Sequence, residues 1–153
     1  MDNNQALREH LLELLKGESA HISLEAAISD FPAEYINTRI NNSPHSAWQL
    51  LEHIRIAQWD ILDFSTNADY EEMKWPDDYW PKDEGTAESW NASVKQTLDD
   101  LQSMRDLVAD EKTDLFAEVP HGSGQTILRE AMLIADHNAY HVGQIMLIKK
   151  SLS

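Results

Sequence analysis

Two histidines, His137 and His141, stand four residues apart in ADHNAYHVGQI, residues 135–145. On a helix that spacing puts both rings on one face, with Cβ atoms about 6 Å apart. Two imidazole nitrogens so placed can each reach one divalent ion at about 2.1 Å. Zinc-protease helices share the spacing but carry a glutamate directly after the first histidine. Asn138 stands there instead, so protease chemistry is excluded.

The pair alone does not require a metal, because two half-buried histidines bonded to neighbours would share the pattern. Ala131, Ile134, Ile145 and Ile148 lie along the same side, which marks it as core-facing. Burying adjacent imidazoles among aliphatic groups is costly unless something satisfies them. A third nitrogen must come from another helix. His53, in LLEHIRIAQ, is flanked at i−3 and i+4 by Leu50 and Ala57 and also faces a core. His10 and His21 read as residues of the first helix and its loop. His45 precedes a helix cap and His121 sits in a Pro/Gly-rich loop, and both can approach a bundle end.

Four long helices are expected to position these residues. The first covers about 3–16, with Leu7, Leu11, Leu14 and Leu15 on one face. Gly17 closes it and a short helical turn, SLEAAISDF, follows. The second runs from Ser46 to about 65, opened by a capping box of Ser46 and Gln49. The third covers about 86–110, with Val94, Leu98, Leu101, Met104 and Val108 as its stripe; the last covers about 126–150. Between the second and third lies STNADYEEMKWPDDYWPKDEG, long enough to return along a bundle about 30 Å high. The expected fold is all-α, a four-helix bundle with that long crossover linker, in one domain over 1–153.

The chain carries 12 basic and 27 acidic residues, a net charge of −15. Such a surface repels nucleic-acid backbones and anionic lipid, so neither is an expected partner. No apolar run reaches the roughly eighteen residues of a membrane span. The N-terminus lacks the pattern of a signal peptide, which favours the cytoplasm. The absence of cysteine excludes disulfides and thiolate ligands.

PHSAWQLLEHIRIAQWDIL together with HGSGQTILREAMLIADHNAYHVGQIMLIKKSL resembles the DinB/YfiT-like superfamily, and WPDDYWP resembles the linker of one of its branches. The resemblance covers nearly the whole chain and is strongest in the second and last helices. It implies a four-helix bundle with a crossover and a three-histidine metal site. Carried over by position, the ligands are His53, His137 and His141. Relatives of this fold include thiol S-transferases, a thiol-dependent isomerase and hydrolases. The resemblance therefore implies an ion activating a low-molecular-weight thiol or water, with thiol transfer favoured.

Three imidazoles leave a coordination position open for water or substrate, as catalytic sites do. Imidazole suits zinc, nickel, iron and copper alike. Outer partners usually orient such ligands, and Gln144 and Glu130 are the candidates. Trp75, Tyr79 and Trp80 could form a lid or simply pin the linker. Gly143 could mark the close approach of another helix or mere tolerance. A homodimer is expected, as is loss of metal affinity below about pH 6, where free imidazole protonates. Binding without turnover, as in a sensor or stress-response accessory, and a plain interaction module remain open alternatives.

Overall fold

The computed structural model describes residues 2–152. Its α-helices are α1 (Asn3–Lys16), α2 (Leu24–Ser29), α3 (Ala47–Thr66), α4 (Ala87–Ala109) and α5 (Ile127–Ser151). Among the described residues there is no strand beyond one isolated bridge between Glu118 and Thr126. The chain is all-helical, as expected, and each helix begins where a polar side chain can take its first free N–H groups. Asp2, Ser23, Ser46, Thr86 and Thr126 all cap in this way. The Ser46–Gln49 box closes reciprocally, and Gly17 ends α1 in the left-handed conformation at φ 71°.

α3 packs against α4 and α5, and α1 packs against the same two helices. Two apolar clusters result. One gathers α2, the first half of α3 and the last turns of α5, around Ile28, Leu51, Ile54 and Ile145. The other gathers α1, the second half of α4 and the first half of α5, around Leu11, Met104, Val108 and Ile134. Leu115 and Val119, read from the sequence as loop, join this second cluster. Leu14 does not: it is 54% exposed, whereas Leu11 and Leu15 are buried. It lies about 100° round the helix from Leu15, outside the stripe that faces α4 and α5.

A polar belt separates the two clusters. Gln58 of α3, 1% exposed, donates to the Thr97 carbonyl of α4 at 2.6 Å and accepts from Asn138 of α5 at 2.9 Å. Glu52, one residue before His53, accepts from Ser93 of α4 and from Arg55. The three histidines of interest stand at this level of the molecule.

The linker between α3 and α4 is fastened at both ends. Near its start and middle, the Tyr70 and Tyr79 hydroxyls donate to the two oxygens of Asp60 at 3.0 and 2.6 Å. Near its end, Trp48 donates to the Asp83 carbonyl, and the Asn37 side chain bonds both the N–H and the carbonyl of Gly85. Gly85 lies flat against the Trp48 indole, where a Cβ would stand 2.4 Å from a ring carbon. Only glycine lets the backbone come so close.

Candidate metal centre

α3 brings His53 and α5 brings His137 and His141 to one point. His137 Nε2 is 3.1 Å from His53 Nε2 and 3.1 Å from His141 Nε2. His53 and His141 are buried and His137 is half-buried. The helical spacing that suggested the pair therefore does bring both rings together with the third histidine, 84 residues earlier in the chain.

The outward nitrogens fix the inward ones. His53 Nδ1 donates to the Tyr79 carbonyl at 2.9 Å, since a carbonyl oxygen can only accept. His141 Nδ1 donates to Gln144 Oε1 at 2.6 Å. In the neutral rings both Nε2 atoms then carry lone pairs, and both face His137 Nε2. A proton on His137 can serve one of them fully or both poorly. One cation between the three serves all at once. Two nitrogens in a tetrahedral shell, each about 2.1 Å from an ion, stand about 3.4 Å apart, close to the 3.1 Å seen. The donor set fits a divalent ion of borderline softness, and the three rings could hold one.

Protons compete weakly for these nitrogens. Burial, then the neighbouring His141 and His53, pushes His137 from 6.5 down to about 3. Burial likewise lowers His53, against the Tyr79 hydrogen bond, and lowers His141, against Gln144. Burial thus sets the competing protonation of these rings below the range of free imidazole, so the expected loss of affinity would fall below pH 6.

The linker shapes the surroundings. Trp80 stacks on His53, with centroids 3.9 Å apart and planes 3° from parallel. His45 stacks on the other face of Trp80 at 4.0 Å. Tyr79 meets Trp75, whose ring lies 6.3 Å from His53 and is 66% exposed. Gln144 is hydrogen-bonded to the cluster, whereas Glu130 bonds Arg129 at 2.6 Å, two turns away along α5. Close approach of a helix at Gly143 is overturned: a Cβ there would meet nothing within 4 Å. His10 is exposed, and His121 bonds the Phe64 carbonyl outside the cluster.

Sequence reasoning missed the partner of His53, because a backbone carbonyl has no side-chain signature. It also missed Asp60, the anchor of both tyrosines. Asp60 is seven residues after His53 and so on the same face of α3, which is the signal that could have found it.

Searches of the curated proteins and of the solved structures each found no match. A family model described as the DinB superfamily matches residues 18–145, a span that includes all three histidines. With most of its length covered by that model, the chain belongs to the DinB superfamily.

Proposed function

We propose that His53, His137 and His141 bind one divalent metal ion, zinc, nickel or iron, within a four-helix bundle whose crossover linker covers the site. The observation that carries this reading is the convergence of three Nε2 atoms, two of them held as acceptors by Tyr79 and Gln144. We propose further that the centre is enzymatic, acting on a low-molecular-weight thiol or on water, with thiol transfer favoured over hydrolysis. A divalent ion held by three imidazoles supplies Lewis-acid polarisation and lowers the pKa of a thiol or water at its open position. The protein supplies the rest. Tyr79 and Gln144 hold two rings in the required tautomer. Trp80, with Trp75 and Tyr79, acts as a lid that limits water at the cluster.

The second reading, binding without turnover, is favoured by one observation. Among the described residues, the group able to hold an ion consists of three histidines, with no carboxylate among its donor atoms. Metal analysis of freshly purified protein, followed by assays with a panel of thiols and electrophiles, separates the two. One equivalent of metal is expected, lost in His137→Ala and kept in His10→Ala. Metal retained by His137→Ala refutes the ligand set. Equal turnover with and without metal refutes the enzymatic mechanism, and no turnover across the panel selects the binding reading.

A further inference from the structure

The loop that leads into α3 and the last turns of α5 enclose a cavity of about 340 Å³. Part of its lining is apolar: Leu50 and Ile148 are buried, and Ile40 packs against the same core cluster. The rest is polar but uncharged. A quarter of the chain is Asp, Glu, Lys or Arg, yet none of these lines the cavity. Burial, and then Arg39, lowers the pKa of His45, so its imidazole is neutral as well at neutral pH.

The loop is held in shape by its own bonds. The Ser43 N–H donates to the Ile40 carbonyl at 2.6 Å, and the Ser43 hydroxyl donates to the His45 carbonyl at 2.7 Å. Asn41 and Asn42 turn the backbone through the left-handed region, at φ 34° and 63°, which asparagine tolerates. His45 is fixed by its stack on Trp80. Two lining side chains keep bonding capacity. Gln144 accepts from His141 Nδ1 through Oε1, but no described residue accepts from its two amide N–H groups. The His45 ring makes no hydrogen bond among the described residues either. A pocket of a few hundred Å³ with an apolar wall and a few uncommitted polar groups has the form of a small-molecule site. An ionised ligand would leave water for a lining that offers it no counter-charge, a cost that a neutral one escapes.

We propose that this cavity binds a small neutral molecule with an aliphatic body and a carbonyl acceptor, which takes a hydrogen bond from the Gln144 amide. Because Gln144 also holds His141, the cavity is coupled to the histidine cluster. An acceptor on the amide nitrogen polarises the amide and strengthens its oxygen as the partner of His141 Nδ1. The ring is then held more firmly with Nε2 free for an ion. Occupancy of the cavity tightens metal binding, and metal tightens occupancy by the same factor. This coupling rests on the metal-binding reading above; capture of the neutral molecule does not.

The probe is hexanamide, with hexanoate and hexylamine as its charged counterparts, titrated calorimetrically into metal-free and zinc-loaded protein at neutral pH. Hexanamide is expected to bind one per chain and at least tenfold more tightly than either ion. Gln144→Leu, which keeps the bulk and removes the amide, is expected to weaken hexanamide at least fivefold. Ser151→Trp, at an exposed position of the lining, is expected to weaken it likewise by filling the space. Zinc is expected to bind at least twofold more tightly when hexanamide is saturating. Equal affinity for the three probes overturns the proposal, as does no hexanamide binding, or unchanged affinity in both variants while their circular dichroism matches wild type. Hexanamide binding by a chain that holds no zinc sustains the site and overturns the metal reading. Stoichiometric zinc whose affinity ignores hexanamide leaves the metal reading standing and overturns the coupling.

Discussion

Acid should destabilise the metal-free protein through its clustered imidazoles. His137 resists protonation down to about 3 when folded, against 6.5 for an ordinary histidine. The unfolded chain therefore binds protons first. Stability is complete above about pH 6.5 and falls as pH drops toward the folded value. Each pH unit in that window costs up to about 1.4 kcal/mol. At pH 4.5 the ceiling for this ring is about 2.8 kcal/mol, and halving it for partial exposure leaves about 1.4 kcal/mol. His53 and His141 are lowered too and add with the same sign. Carboxylates titrate over the same range in so acidic a chain, so the comparison must isolate the ring. His137→Gln keeps a polar side chain but cannot titrate. Urea unfolding of both proteins in chelator at pH 7.5 and 4.5 gives the difference. The variant should gain about 1 kcal/mol or more on wild type between the two pH values. Parallel behaviour, or wild type gaining on the variant in acid, would refute the claim that burial holds the ring neutral.

Trp80→Ala should shift substrate saturation more than metal content, because the indole stacks on His53 without donating to it; a loss of metal equal to the loss of activity would make Trp80 a support rather than a lid. Tryptophan fluorescence should respond when metal is added to the free protein, and a flat titration would count against the stack as found. Gly85→Ala should destabilise by about 1–3 kcal/mol, as overpacking does, since its Cβ would meet the Trp48 ring at 2.4 Å; thermal unfolding reads this directly. Sedimentation should show a homodimer, helped by the exposed apolar side chains Ile22, Tyr140 and Leu147; a 17.5 kDa species at micromolar concentration would remove that proposal.

The helices were legible because their punctuation is local. Ser46 and Gln49, three residues apart, announce the start of α3, and Gly17 announces the end of α1. His137 and His141 were legible for the same reason, since helical spacing alone sets their common face. His53 needed one further step, its apolar neighbours Leu50 and Ala57. What escaped depends on how distant segments meet. The Tyr79 carbonyl is 26 residues from His53, and any residue type could have offered it. His45 reaches the cluster only because Trp80 stands between it and His53. Leu14 had the right residue type but an azimuth off the buried stripe, and Leu115 looked like loop because loops that fill a core carry no period.

The belt of Gln58, Thr97 and Asn138 acts as a key that fixes the register of three helices. Slide α5 by one turn along α3, about 5.4 Å, and non-directional hydrophobic contact can in part be remade. The amide hydrogen bond cannot. Asn138 and Gln58 would part, leaving one buried donor and one buried acceptor unpaired, at about 1–3 kcal/mol apiece. The same slide would separate His137 from His53, which meet within 3.1 Å. Oily packing sets how firmly these helices adhere, while one glutamine and one asparagine decide where along their length they stop. A site that needs nitrogens placed to a fraction of an ångström is thereby located by groups that need never touch it.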